Sequence, residues 1–461
     1  VTIWRIPRSA RARLADPRTP LVLLGLVCVL GVGVRAYRLS TPVAKPPSAG
    51  YIFDERYYVS AARIIAGKKV SVGDVYFGAA PSGADPNAEH PQLGKLIIAG
   101  SIDVFGDNAI GWRISAVIFG AAAILLLYWL VRCAGGSGWL ALGAASLASF
   151  ENLWVVHSRI AVLDIYAVPF MLAAAAFYLR RRPFVSGALI GIGCCVKEFA
   201  AYTVLVLVLF ELIRVMGGAI GERTAVLGRR RLLGQALRRL VPLLPMTLVT
   251  VVAYFTLLTA LDAAVTPYSG GHPVDRNQAS ICKYMLIWQD SCNHFTFMNH
   301  YAAKLQDIGH PRGIATAPTQ FWLDRKMITY YGTSRVVSSG GHVQSNQKIL
   351  WFRGEIGRVL LFTSWLALLL CLWWALRRRD EPALLAVAWA LGTWLPPELF
   401  HLVDRRTTYL YYMVVTMPAL YIAVAKLLGA RRLPWLILAA WTIAFLWDFT
   451  NLYPFREAIS I

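Results

Sequence analysis

The sequence predicts an all-α, polytopic membrane protein, and three observations predict it. Of 461 residues, 57% are hydrophobic and only 15% charged, against roughly 25% charged and 45 to 50% apolar in an ordinary soluble domain. The apolar residues collect in runs close to the roughly 20 residues a helix needs to cross a hydrocarbon core. Lys and Arg punctuate those runs instead of gathering on one face or in a tail, as a nucleic-acid binder requires. The formal charge of +21 therefore points to membrane lipids as partners and not to nucleic acid.

Eleven runs bounded by Arg, Lys, Pro or Gly can be drawn, near 20–36, 110–132, 138–156, 161–179, 184–198, 199–216, 240–261, 356–376, 383–400, 407–426 and 433–450. The fifth and sixth run together at Lys197-Glu198. Lys and Arg near span ends favour the cytoplasmic side. An inner N-terminus places there Arg5, Arg8, Arg11, Arg13 and Arg18, Arg180-Arg181-Arg182, Arg229-Arg230-Arg231, Arg377-Arg378-Arg379 and Arg431-Arg432; Arg405-Arg406 breaks the trend. The first span has the Arg-rich lead of a signal peptide but no small-x-small cleavage site, so it reads as a retained anchor.

The chain divides accordingly. Residues 1–36 form the cytoplasmic N-terminus and first span, 37–109 an outer loop, 110–261 a transmembrane bundle, 262–355 a large outer loop, and 356–461 the C-terminal transmembrane helices. Chemistry is expected on the two outer loops, where acids, bases and aromatics mix. Cys28, Cys194, Cys195 and Cys371 lie in apolar stretches, where a thiol behaves as a small hydrophobe. Cys282 and Cys292 share a polar outer segment, where a disulfide can persist; a bridge and two free thiols both remain open.

In the first outer loop, Tyr51 to Gly67 (YIFDERYYVSAARIIAG) begins with acids suited to a helix N-terminus and spaces its apolar residues helically. It predicts an amphipathic helix on the outer leaflet. A second is predicted from His90-Pro91 to about Phe105, with Pro in the first turn. On residue chemistry alone, Asp54 and Glu55 have a structural explanation, capping the helix and balancing Arg56.

Read together, FDERYY, HPQLGKLIIAG, FGDNAIGWRI, HSRIAVLDIY and RRTTYLYYMVVTMPAL resemble, in order, the protein O-mannosyltransferase family, enzymes of the GT-C fold that use polyprenyl phosphate mannose. The resemblance runs from 35 to 215 and resumes from about 317 to 426. It implies about eleven spans with an inner N-terminus, and a bacterial plasma membrane, because about ninety residues stand where eukaryotic members insert a β-trefoil. Gln92 replaces a frequent second Pro, and 262–316 matches no quoted motif.

The resemblance implies inverting transfer of mannose to Ser or Thr hydroxyls of a protein acceptor at the outer face, with the secretion machinery as an expected partner that supplies the acceptor. A phosphate ester leaves as a stable anion, so a base and cations suffice, unlike the two working carboxylates of glycoside hydrolysis. Asp54 is the expected base. Glu55 is grouped with it, supporting the base from behind or orienting the acceptor, with a divalent cation as a further alternative; no other residues make a metal cage, and no cofactor is otherwise required. Arg406, with Arg405 as its alternate, is expected to grip the donor phosphate beside Tyr409; a snorkelling arginine in an aromatic belt is the structural alternative. Lys197, Arg113, Arg159, Asp164, His90 and Lys95 complete the donor-side candidates, although Arg159 and Asp164 also suit an ion pair with each other. Trp322 and Tyr330 are acceptor-side candidates, or interfacial anchors. A transferase modifying a lipid or glycan, of the aminoarabinose-transferase kind, is the alternative function. A transporter would show repeated halves and a midplane site, which this sequence lacks.

Overall fold

The computed structural model describes residues 16–42, 50–221, 229–274, 280–306, 313–325, 327–339, 342–430 and 433–454. Arg5, Arg8, Arg11, Arg13, Arg431 and Arg432 lie outside the described residues. Helix α1 (Thr19–Ala36) is followed in the first outer loop by α2 (Glu55–Ile65) and α3 (Leu93–Phe105). The central bundle holds α4 (Ala109–Cys133), α5 (Gly138–Phe150), α6 (Asn152–His157), α7 (Leu163–Leu179), α8 (Pro183–Cys194), α9 (Tyr202–Gly221), α10 (Arg229–Leu240) and α11 (Leu243–Ala264). The large loop carries the short ladder β1 (Tyr268–Ser269) and β2 (His272–Pro273), α12 (Gln289–Lys304), and a long antiparallel hairpin of β3 (Ile328–Ser339) and β4 (His342–Gly354). The C-terminal part is α13 (Arg358–Arg378), α14 (Glu381–Asp404), α15 (Met417–Leu428) and α16 (Trp435–Leu452).

Among the described residues, seven helical segments are long and apolar enough to cross a membrane: α1, α4, Glu198–Met216, Ala236–Ala264, α13, α14 and α16. The other four predicted runs form the shorter apolar helices α5, α7, α8 and α15. Three of these are short because the backbone is interrupted inside a continuous apolar run. At Glu151 the chain turns extended, and the Glu151 carboxylate accepts from Leu153 N and Trp154 N to start α6. Beyond α8 a 3₁₀ turn, Glu198–Ala201, intervenes before α9, and Leu410–Val415 forms another before α15. Broken helices survive at membrane depth only where protein satisfies the freed backbone groups. Here the indoles of Trp154 and Trp389 donate to Val414 O and Val415 O, at 2.8 and 2.7 Å, and Leu93 N donates to Cys195 O.

Close helix contact depends on small residues. A Cβ on Gly187 would sit 2.3 Å from Met246 O, and one on Gly191 2.7 Å from Ala253 Cβ, so this Gly-x-x-x-Gly pair lets α8 lie directly against α11. Gly191→Leu is expected to push the helices apart at a cost of roughly 1–3 kcal/mol, read as a lowered thermal unfolding midpoint in detergent. An unchanged midpoint would show that this contact is not tight.

Two expectations change here. Helix α2 was expected to lie on a lipid surface; instead Glu55 and Tyr58 through Ile64 are buried, because α3 and the first outer loop cover it. The hairpin β3–β4 was not expected within an all-α chain. Its base is pinned to both parts of the protein: Phe53 N donates to Tyr330 O at 3.1 Å, and Asn152 Nδ2 donates to Arg353 O and Glu355 O. The segment without a quoted motif is also tied down. His294 bonds Asp262 at 2.8 Å through Nδ1 and Ala88 O at 3.0 Å through Nε2, and Gln92 donates to the same Asp262 carboxylate. Cys282 and Cys292 are joined as a disulfide.

Candidate active site

The site is built from the turn Ile52–Glu55, the α6–α7 junction, the α8–α9 junction, the Leu410–Val415 turn and the hairpin base. Phe53 has φ +54°, a left-handed conformation uncommon for a bulky residue. It is held there by Tyr330, whose ring stacks on Phe53 at 4.1 Å, and by the backbone bond between them. Asp54 and Glu55 follow this kink, and their side chains meet different surroundings.

Glu55 is fully enclosed. Arg113 Nε and Nη2 donate to its two oxygens at 2.8 Å each, and Ile52 N and Ala161 N donate at 2.8 and 3.0 Å. Arg113 spends its remaining donors on Leu39 O, Thr41 O and Gly50 O, at 3.0, 3.1 and 2.7 Å. The Gly-Trp-Arg motif seats this arginine: a Cβ on Gly111 would lie 1.9 Å from Gly106 O, and Trp112 Nε1 donates to Asp107. Both Glu55 oxygens are thus committed within the fold, the arrangement of a group that supports the site from behind. With its oxygens committed to Arg113 and two amides it does not fit a metal ligand, and among the described residues no His/Cys/Asp/Glu group makes a cation cage.

Asp54 is the opposite case. It stands at the N-cap of α2, yet its side chain accepts no capping hydrogen bond, so the structural explanation for it fails. It is half-buried, and burial pushes its carboxyl up to about 6 against the pull of Lys197, with Asp164 raising it further and Arg56 lowering it. A partly open carboxylate poised near neutrality suits a general base.

Lys197, in the extended link before α9, pairs with Asp164 at 2.9 Å and lies 5.5 Å from the ring centre of Tyr411 and 5.2 Å from that of Phe199. A lysine has three donors, and Asp164 is its one hydrogen-bond partner among the described residues. Tyr411 is stacked by Tyr409 at 5.3 Å and flanked by Tyr412 at 5.1 Å. Arg406 lies 5.8 Å from the ring centre of Phe400. Its side chain makes no hydrogen bond among the described residues, and its Nε is buried without a partner. His90, 3.9 Å from Glu198 and 5.9 Å from the Tyr58 ring centre, borders the same region.

Several expectations are corrected. Arg405 is exposed, at φ +51° where it ends α14, so it does not share the position of Arg406. Arg159 is 1% exposed and donates to Val34 O, Tyr37 O and the Tyr453 hydroxyl; it fastens the first helix to the residue that follows the last one. Lys95 is fully buried, bonded to Asp85, Asn87 O and His90 O, and holds the outer loop. Tyr330 is 6% exposed and floors the site beneath Phe53, so it offers no exposed ring. Trp322 is half-buried, edge-on to Trp394 at 6.3 Å. Sequence reasoning missed His157, whose Nε2 bonds the Tyr330 hydroxyl at 2.8 Å; it opens the HSRIAVLDIY motif, which was the available signal.

Residues 88–217 match the family described as dolichyl-phosphate-mannose-protein mannosyltransferase. A polyprenol-phosphate-mannose–protein mannosyltransferase of Corynebacterium glutamicum is 30% identical over 155 residues, a match covering 34% of this chain and only 29% of that relative. One from Mycobacterium tuberculosis is 23% identical over 494 residues, covering 95% of this chain and 89% of the relative. Among solved structures, the donor-bound Saccharomyces cerevisiae Pmt1–Pmt2 protein O-mannosyltransferase superposes with TM-score 0.67 at 12% identity, covering 97% of this chain and 92% of that one. ArnT from Cupriavidus metallidurans, bound to undecaprenyl phosphate, gives 0.51 at 18% identity, covering 92% and 62%. This chain is therefore a multi-pass membrane protein of the GT-C fold, related in sequence to the protein O-mannosyltransferases.

Proposed function

We propose that the protein is an inverting glycosyltransferase that moves mannose from polyprenyl phosphate mannose to Ser or Thr hydroxyls of a protein acceptor. The observation that carries this reading is Asp54: a carboxylate at a helix start that caps nothing, stays partly open and feels the charge of Lys197. The acceptor oxygen attacks the anomeric carbon as its proton passes to Asp54. The bond from that carbon to the phosphate oxygen breaks, and the polyprenyl phosphate leaves with the electron pair. Lys197 and Arg406 meet the leaving charge, and Tyr409, Tyr411 and Tyr412 give the lipid an aromatic wall. The relatives named for this activity support the donor and acceptor classes.

The arrangement of arginines supports a cytoplasmic N-terminus with the Asp54 site on the outer face, and the bacterial relatives suit a bacterial plasma membrane. There an acceptor chain delivered by secretion machinery would meet the site.

The test incubates membranes holding the protein with radiolabelled polyprenyl phosphate mannose and a Ser/Thr/Pro-rich peptide. Label in the peptide is expected; label in lipid but never in peptide would overturn the acceptor class in favour of a lipid-modifying transferase. Arg406→Gln is expected to raise the KM for donor about tenfold or more, since a charge-assisted phosphate contact contributes roughly 1.5–3 kcal/mol. An unchanged donor KM would remove Arg406 from the phosphate site.

A further inference from the structure

At the end of the bundle away from Asp54, a cavity of about 1050 Å³ opens among α7, α8, α9, α10, α13 and α14, lined by Arg181, Arg214, Arg238, Arg239 and Arg379 with only Glu211 and Glu381 as acids. Helix α7 separates the two regions: Asp164 begins it and Arg181 lies just past its end, about 25 Å away at 1.5 Å per residue. The glutamates are already engaged. Glu211 pairs with Arg214 at 3.3 Å and Arg239 at 3.6 Å, and Glu381 takes the other end of Arg214. Arg181 and Arg238 have no carboxylate partner among the described residues, and both are exposed. The cavity therefore carries net positive charge with guanidinium donors left over.

The surface beside it is apolar. Leu237, Val241, Leu244 and Leu248 are 54%, 56%, 72% and 65% exposed and follow at helical intervals of four, three and four residues, running from Arg238 into the membrane-spanning part of α11. A guanidinium fork suits a phosphate, and an apolar strip starting at the same level suits the chain attached to it.

We infer that this cavity binds the phosphate headgroup of an anionic lipid, with the lipid's hydrocarbon laid along Leu237–Leu248. The site is separate from the transfer reaction, and its ligand is a lipid and not a soluble phosphate, because a soluble phosphate has no use for the apolar strip. Positively charged residues at a membrane surface attract anionic lipid in general; the cavity adds a defined seat, with Arg181 and Arg238 as the donors left free for it.

The test is native mass spectrometry of the full chain in detergent, with phosphatidylglycerol, phosphatidylcholine and glycerol 3-phosphate as probes. Phosphatidylglycerol is expected to bind at least about tenfold more tightly than phosphatidylcholine, and the Arg181→Gln/Arg238→Gln variant to lose that preference. Both side chains are exposed, so the variant should keep the wild-type thermal midpoint, and Arg181→Lys/Arg238→Lys should restore part of the binding. Wild-type retention of phosphatidylglycerol by the Gln variant would overturn the site. Glycerol 3-phosphate binding as tightly as phosphatidylglycerol would overturn the lipid as its ligand.

Discussion

Asp54→Asn is expected to lower mannose transfer to peptide by about 10²- to 10⁴-fold, the range a positioned general base contributes, while leaving the thermal unfolding midpoint where it was. The second half of that expectation follows from the geometry. The Asp54 side chain makes no capping bond to α2, so an isosteric amide removes the base without removing a structural contact. Asp54 must be ionised to accept the proton, and its carboxyl is raised to about 6 by burial. In the wild type, kcat/KM should therefore climb about tenfold per pH unit below about pH 6 and level off above it. The residual activity of Asp54→Asn should lack that limb. Equal transfer by the two proteins, or the same acidic limb in both, would remove Asp54 as the base.

Arg113→Met is expected to do the reverse, damaging the fold first. It strips the enclosed Glu55 of both guanidinium bonds and leaves Leu39 O, Thr41 O and Gly50 O without their donor. Removing one partner of a buried ion pair costs about 3–5 kcal/mol, because the other charge is left uncompensated. The loss should appear as a lower thermal midpoint in detergent, with transfer falling as the Ile52–Glu55 turn loosens. Adding Glu55→Gln should recover part of it, since the orphaned charge is then gone. If Arg113→Met unfolds at the wild-type midpoint, the pair is not holding the turn.

These two neighbours show how much of the site was legible. Asp54 and Glu55 are adjacent acids at a helix start, and residue type alone gives them one explanation, the cap. Motif order distinguished them from ordinary caps and marked Asp54 as the base, but left Glu55 without a settled role. Their surroundings separate them: successive residues of a helix start point apart, and Glu55 is enclosed against Arg113 while Asp54 stays partly open and caps nothing. Arg159 and Asp164 show the same limit. Five positions apart, they read as a pair, yet each takes a partner distant in sequence: Tyr453 just past the last helix for Arg159, and Lys197 for Asp164. The hairpin β3–β4 was signalled by β-branched runs around Ser338-Ser339-Gly340-Gly341, a pattern that a helix-by-helix reading of a membrane chain passes over.

What the sequence by itself determined is the solvent each segment meets. Apolar runs must leave water, arginine clusters must stay at an interface, and the regions rich in polar groups must lie outside the hydrocarbon. Those demands follow from composition along the chain and need no partner. Only the tertiary structure decided which charges are spent and which are free. A buried arginine or carboxylate is satisfied by whatever backbone and side chains packing brings within about 3 Å, and those partners lie 58 residues away for Arg113 and Glu55 and 33 for Lys197 and Asp164.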